Sequence, residues 1–413
     1  MNIWIFNHYA FPPDTPGGTR HYDFAKELVQ RGHKVTIFTT SYHHLLYREI
    51  RLNPGENWKV EYIDGVKFVW IRTFPYKGND WRRVINMISY MPRAYWLGRK
   101  LPKILPEIEK PDVVIGSSWH FLAVLAAYLV ARYHKAKFIM EVRDLWPQTL
   151  IDLGVLGESH PIVKILQALE RFFYRKADRI ITLLPKAGEY IAAQGIDINK
   201  VVWIPNGVDL TRFQVKFQKK LVNDRYFKVM YTGSHGKANA LDILLKAAKI
   251  IQDCGYDDIK FILIGSGPEK SKLIELAKKL KLKNVEFRDP VKKTEISRVL
   301  SEADVTVFIL RNLPLYKYGI SLNKLFDYLA LGKPIILAGN PVNNPVKESN
   351  CGLTVPPEDP KALAEAIIKI YKMPPEEREE MGRRGRKYVE KYYSIPILVD
   401  KLEKVLTEVL NKK

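Results

Sequence analysis

Short runs of β-branched and aromatic residues alternate with helical stretches along nearly the whole chain, and the series runs twice. A strand that returns parallel to its predecessor needs a crossover, normally a helix, so this alternation commits the chain to parallel sheets covered by helices. In the first series, residues 2–7, 34–39, 66–72, 113–116, 137–141, 179–183 and 201–204 read as strands. Helices fall near 18–31, 121–133 and 162–176. The second series has strands at 228–232, 260–264, 284–287, 305–309, 334–337 and 353–355, with helices at 240–253, 270–280 and 322–331.

Between them, Pro205-Asn206-Gly207 makes a turn, followed by a polar, lysine-containing stretch up to Phe227. At 413 residues the chain exceeds one ordinary core. The reading is therefore two Rossmann-like α/β domains, 1–205 and 206–390. A last amphipathic helix within 391–413, carrying Leu398, Leu402, Val405, Leu406, Val409 and Leu410, is expected to cross back and pack across both.

Bulk properties exclude several classes. Cys254 and Cys351 cannot build a disulfide framework, and no metal-ligand spacing surrounds them. Met1-Asn2-Ile3-Trp4-Ile5-Phe6 reads as a first strand, not a signal peptide. No apolar stretch approaches the ~20 residues of a membrane span. The expected location is cytoplasmic, peripheral on the inner face of the membrane. A net charge of +21 points to an anionic partner or only to a soluble surface, and charge alone does not choose. A nucleic-acid-binding protein lacks a binding motif here, and its basic residues would be spread over the chain.

The motifs point to phosphate. Gly17-Gly18-Thr19-Arg20 opens a helix after the first strand, where free N–H groups and the helix dipole attract an anion; a tight strand-to-helix turn is the plainer alternative. The fuller G-x-G-x-x-G of a dinucleotide oxidoreductase is absent. Ile264-Gly265-Ser266-Gly267-Pro268 ends a strand of the second series. Further on, Ser321 is placed to N-cap a helix over 322–331 that stops at Gly332. Its first turn, Leu322-Asn323-Lys324, makes a diphosphate cradle, with Asp327 one turn on beside a ribose diol. An ordinary capped helix with surface Lys and Asp is the alternative. His120 and Ser117 compete for one position after the strand at 113–116, and Asp144 follows the strand at 137–141, where such sheets bind ligands. Structural readings, a hydrogen-bonded His120 and an Asp144–Arg143 salt bridge, stand beside these.

Taken in order, several stretches resemble family 4 (group 1) glycosyltransferases of the GT-B fold, over almost the whole chain. They are Gly17-Gly18, Arg31-Gly32-His33-Lys34-Val35-Thr36, Ile204-Pro205-Asn206-Gly207-Val208-Asp209, Ile264-Gly265-Ser266-Gly267-Pro268 and Asp327-Tyr328-Leu329-Ala330-Leu331-Gly332-Lys333-Pro334. The resemblance implies two domains facing across a cleft and a retaining, metal-independent enzyme. It would move a sugar from a nucleotide-sugar, UDP-linked by expectation, to a saccharide or polyprenyl-diphosphate-linked acceptor, with no cofactor beyond that donor. It assigns donor phosphates to Gly17, Gly18, Ser321, Leu322, Asn323 and Lys324, and the ribose to Asp327, where the family has a glutamate.

The family's other glutamate is here Gly319, and its Arg…Lys phosphate pair is not evident in Tyr231-Thr232-Gly233-Ser234-His235-Gly236-Lys237. His235 and Lys237 are the candidates for that role. Arg143-Asp144-Leu145-Trp146-Pro147 and Ser321-Leu322-Asn323-Lys324 resemble a surface-polysaccharide branch that includes N-acetylfucosamine transferases. Residues 72–103, basic and rich in aromatics, suit an anionic membrane surface; a helix with core aromatics and solvated arginines is the alternative. The competing enzyme reading, a GT-B sugar-nucleotide epimerase or hydrolase, needs in-cleft acid and base carboxylates that the sequence does not supply convincingly.

Overall fold

The computed structural model describes residues 1–78, 80–118, 120–213 and 225–411, so most of the break after Pro205 lies outside the described residues. Contacts divide the chain into two compact units. The first comprises Met1–Pro12, Gly18–Pro205 and the chain from Ile395 onward; the second comprises Pro13–Gly17 and Asn206–Ser394.

The first unit's strands are β1 (Asn2–Phe6), β2 (Lys34–Thr40), β3 (Tyr42–His43), β4 (Arg48–Glu49), β5 (Trp58–Ile63), β6 (Val66–Ile71), β7 (Val113–Ser117), β8 (Lys137–Val142), β9 (Arg179–Thr182) and β10 (Val201–Trp203). Eight of them form one sheet in the order β10-β9-β8-β7-β1-β2-β6-β5. All neighbours run parallel except β5, which pairs antiparallel with β6. The seven runs read as strands in the first series are all present. The edge strand β5 was not among them. Its signal was the Asp64-Gly65 dipeptide joining it to β6, both residues at positive φ (48° and 80°), as a tight hairpin turn requires.

The helices are α1 (Arg20–Gln30), α2 (Trp81–Ile104), α3 (Phe121–His134), α4 (Gln148–Asp152), α5 (Pro161–Lys176) and α6 (Ala187–Ala192). On one sheet face α2 packs on α3 and α3 on α5. The α2–α3 approach is close at Gly98, where a Cβ would meet Val130 Cγ2 at 2.6 Å.

The second unit's strands are β11 (Phe227–Thr232), β12 (Ile259–Ile264), β13 (Val285–Arg288), β14 (Val305–Ile309), β15 (Ile335–Ala338) and β16 (Gly352–Val355). They form an all-parallel sheet ordered β13-β12-β11-β14-β15-β16. Its helices are α7 (Leu241–Asp253), α8 (Lys270–Lys279), α9 (Ile296–Leu300), α10 (Asn323–Leu331), α11 (Pro345–Glu348), α12 (Pro360–Lys372) and α13 (Pro375–Tyr392). Pro13–Gly17 joins this unit because the Lys293 and Thr294 N–H groups donate to Thr15 O (3.3 Å) and Pro13 O (3.2 Å). The last helix, α14 (Ile395–Asn411), belongs to the first unit, where Leu398, Leu402, Leu406 and Val409 share a core with α1's Leu28.

Candidate functional site

Glycine turns at the C-terminal ends of β11 and β12 interlock. Gly233, Gly265 and Gly267 adopt φ of 134°, 150° and 158°, which residues with a Cβ rarely reach. A Cβ on Gly265 would lie 1.9 Å from Gly233 O, and one on Gly267 2.6 Å from His235 O. Backbone therefore lies directly on backbone. Gly233 N–H donates to Ile264 O (3.0 Å), His235 N–H to Ser266 O (2.9 Å) and Glu269 N–H to His235 O (3.0 Å).

Helix α10 begins beside these turns. The structure corrects the expected cap: the N-cap position is Leu322, and no side chain caps the helix. Ser321, which carries no helical geometry, turns its hydroxyl to the Asn206 N–H (2.8 Å), and its carbonyl accepts from the Asn206 amide. The first-turn N–H groups of α10 thus lack a side-chain cap, which is the condition for binding an anion there. Gly332 closes the helix in the left-handed conformation (φ 73°), as expected. Tyr328 anchors its far side, its hydroxyl accepting from Thr232 N–H at 2.8 Å.

Lys324 rises from that first turn. Its Nζ donates to the Tyr231 hydroxyl (2.8 Å) and to Asn239 Oδ1, and it lies 4.5 Å from the Tyr231 ring centroid. Among the described residues it pairs with no carboxylate. Burial pulls its amine down to about 7. His235 is fully buried with neither ring nitrogen hydrogen-bonded. Burial, then Lys270 and Lys324, pull it down to about 4, so the ring is neutral at pH 7. Lys270 Nζ in turn donates to Gly265 O (2.9 Å) and Asp289 Oδ1 (2.9 Å). Lys237 is exposed on the rim, its carbonyl accepting from Arg311 Nε at 3.2 Å.

Asp327, expected beside a ribose diol, is 5% exposed, and its Oδ2 accepts from Lys293 Nζ. A ribose hydroxyl would have to share that carboxylate with a buried cation. Removing one partner of a buried pair leaves the other uncompensated, so Asp327→Ala should lose about 3–5 kcal/mol of stability. Chemical denaturation checks this, and Lys293→Met in the same chain should restore much of it. Gly319 has φ 107°, so the backbone itself explains why no glutamate stands there.

Toward the N-terminus the predicted residues lie on separate elements, Gly17 in the second unit and the others in the first. Gly17, at φ 128°, and Gly18 precede α1, whose N-cap Thr19 makes no side-chain cap. Just inside α1 is a network that the sequence reading missed. Arg20 Nε and His21 Nε2 donate to the two oxygens of Glu141 (2.8 and 2.6 Å), Ser117 Oγ donates to Glu141 Oε2 (2.6 Å), and Asn7 Nδ2 to Ser117 Oγ (2.8 Å). Arg20 also reaches Ile204 O (2.9 Å) and Pro205 O. Ser117 is thus committed to this network.

His120 is a buried helix cap: its Nδ1 accepts from Ala123 N–H (3.3 Å) and its Nε2 faces His8 Nδ1 at 2.7 Å. Burial and the charge of Arg83 pull it down to about 3. Asp144 stands after β8 as expected, and burial raises its carboxyl against the opposing pull of Arg143. His120 and Asp144 lie in the first unit, and the group around Lys324 in the second. Lys270 and Lys293 carry no motif, so spacing could not have singled them out; Tyr231 opens the quoted glycine stretch, but nothing in the sequence marked it as a partner of Lys324. Asn239 lies two residues past the glycine stretch, within its reach.

Residues 17–207 match a family described as "Glycosyl transferase 4-like domain", and residues 213–388 one described as "Glycosyl transferases group 1". The chain is 21% identical over 303 residues to the putative colanic acid biosynthesis glycosyl transferase WcaI of Escherichia coli K12, covering 70% of this chain and 71% of that protein. It is 22% identical over 323 residues to the probable glycosyltransferase WbjE of Pseudomonas aeruginosa, covering 75% and 78%. In structure it resembles sucrose-phosphate synthase from Thermosynechococcus elongatus, with TM-score 0.76, 16% identity and full coverage of both chains. It also resembles Anabaena Alr3699/HepE, solved with UDP and glucose, with TM-score 0.67, 13% identity and coverage of 98% and 99%.

Proposed function

The chain belongs to the family 4, group 1 glycosyltransferases with the two-domain α/β GT-B fold, and from that premise we propose a retaining, metal-independent sugar transfer from a UDP-linked donor. The acceptor in this reading is a glycan or lipid-linked saccharide of a surface polysaccharide. The observation that carries the proposal is Lys324: a part-buried amine that pairs with no carboxylate among the described residues, beside an uncapped helix N-terminus and two interlocked glycine turns. A diphosphate supplies the missing counter-charge, accepts from the first-turn N–H groups of α10 and approaches backbone where no Cβ intervenes.

In the reaction the sugar–phosphate bond breaks and negative charge grows on the departing diphosphate. Lys324 and the α10 N-terminus stabilise that charge more strongly than they stabilise the bound donor, which lowers the barrier. Neutral His235 can donate one N–H to the same oxygens. The acceptor's hydroxyl proton passes to the departing phosphate. UDP as the carrier is supported by the HepE complex and by an Escherichia coli trehalose-6-phosphate structure with UDP-2-fluoro glucose. Surface polysaccharide as the destination is supported by the colanic acid relative, and by a Staphylococcus aureus capsular polysaccharide glycosyltransferase. An N-acetylated hexosamine as the sugar rests on the resemblance of Arg143-Asp144-Leu145-Trp146-Pro147 and Ser321-Leu322-Asn323-Lys324 alone.

The proposal also places α2 against the inner face of a membrane. No helix among the described residues is long and apolar enough to cross one. On α2, however, Trp81, Val84, Ile88 and Trp96 are 64%, 54%, 54% and 49% exposed, while Tyr90 is core as in the alternative. Their spacing puts them in one outward stripe, with Arg82, Arg93 and Lys100 in a row beside it.

A thermal-shift series tests the donor site. UDP at ~100 times its Kd should add about 2.7 kcal/mol to stability, raising the melting temperature by several degrees. GDP and ADP should do less. No shift with UDP, or an equal shift in Lys324→Met, contradicts the reading.

A further inference from the structure

Helix α5 repeats the surface design of α2 on the same layer of the first unit. Ile162 and Ile165 are 50% and 60% exposed, and Phe172 is 38% exposed. Their spacing places them on one side of the helix, flanking the buried face of Val163, Glu170, Phe173 and Tyr174. Lys164, Arg171 and Arg175, seven and four residues apart, are exposed in a row next to that stripe. Glu170 is the helix's acid, and it is buried, accepting from the Tyr174 and Tyr190 hydroxyls and the Gln194 amide. The outward face of α5 is therefore apolar and basic with no compensating negative charge.

Between α5 and α2 lies α3, tied to both by rings: Tyr128 meets Phe172 at 5.5 Å, and Arg99 of α2 covers Tyr133 at 4.5 Å. We infer that α5 is a second membrane-contacting helix, so that α2 and α5 together dock this face on an anionic lipid bilayer. Anionic lipid is the occupant that this chemistry selects. Exposed apolar side chains gain by entering the headgroup–acyl boundary, while the adjoining cations meet negative headgroups. A folded partner would need a complementary acidic and apolar surface; a bilayer needs none of that shape. Two helices also fix the orientation of the unit on the surface, which one helix, free to roll, does not.

The inference rests on the reading of α2 as lipid-facing, so the two must be tested apart. The full chain is sedimented with phosphatidylcholine vesicles containing about a quarter phosphatidylglycerol, and with pure phosphatidylcholine. The triple variant Ile162→Ser, Ile165→Ser, Phe172→Ser and the triple variant Lys164→Glu, Arg171→Glu, Arg175→Glu are each compared with Trp81→Ser, Ile88→Ser, Trp96→Ser. All these positions are exposed, and an unchanged melting temperature confirms the fold of each variant. Either α5 variant should weaken binding to the anionic vesicles at least about tenfold, the charge variant more steeply at low salt. Wild-type binding that survives both α5 variants but falls with the α2 variant overturns the inference and leaves the α2 reading standing. No binding by the wild-type chain overturns both. If the α5 variants instead abolish self-association in solution, the occupant is a second copy and the lipid assignment is wrong.

Discussion

Lys324→Met should cut donor turnover by about 10²–10³-fold, the usual consequence of losing one preorganised charge at a developing anion. The fold should survive it. The substitution removes a part-buried amine that pairs with no carboxylate among the described residues, and methionine fills a similar volume. Only the Tyr231 hydroxyl and the Asn239 amide lose a partner, about 0.5–1.5 kcal/mol each, offset by the amine's own burial cost. A large loss of activity with a nearly unchanged melting temperature is the expected pattern. Lys324→Arg restores charge but not a compact amine, so it should recover UDP binding better than turnover. If the Met variant turns over within a few-fold of wild type, the diphosphate does not rest on this residue.

A stability effect as large as that of Asp327→Ala should come from the other unit. Glu141→Leu strands Arg20, His21 and Ser117 together, all three of which donate to its carboxylate. Burial pushes that carboxyl up, but His21 and Arg20 hold it well below the usual range. Removing it should cost about 3–5 kcal/mol, since the buried Arg20 guanidinium is left without its counter-charge. At ~2–4 °C per kcal/mol for a domain of this size, the melting transition should fall by roughly 6–20 °C. The sign with pH follows from the depressed carboxyl. Glu141 contributes stability above the unfolded carboxylate range and loses it as pH falls through its lower folded value. The wild type should therefore destabilise more steeply in acid than Glu141→Leu, and denaturation from neutral to acid pH measures the difference. Because Arg20 also holds Ile204 O and opens the helix after Gly17-Gly18, activity should fall with stability.

Local pattern made most of the architecture legible. Mostly apolar runs such as 260–264 and 305–309, bounded by glycine or polar turns, have few alternatives to a buried parallel strand, and each lies in one. The edge strand β5 escaped because Lys59 and Glu61 alternate along a half-buried surface, which resembles a loop. Helix α2 was legible only as a basic aromatic segment, since Pro92 and Pro102 interrupt its helical pattern. Within the site, the glycine turns and Lys324 were readable from spacing. Ser321 followed the statistics of helix caps, yet the Asn206 backbone, distant in sequence, claims its hydroxyl. Asp327's pairing with Lys293 and the Arg20–Glu141 network are likewise contacts between residues far apart in the chain, which no local period encodes.

Proton uptake on UDP binding tests the central claim most directly. With its amine pulled down to about 7, Lys324 is mostly neutral at pH 8 in the free protein. A bound diphosphate favours the ammonium and raises that value, so binding must draw a proton from solution. Calorimetric titration of UDP at pH 8, in two buffers of different ionisation enthalpy, should show net proton uptake on UDP binding in the wild type, with affinity falling as pH rises above 7. Uptake should vanish in Lys324→Arg, whose guanidinium is always charged. Tight UDP binding with no proton uptake, or the same uptake in the Arg variant, would contradict the assignment of the diphosphate to Lys324 and the α10 N-terminus.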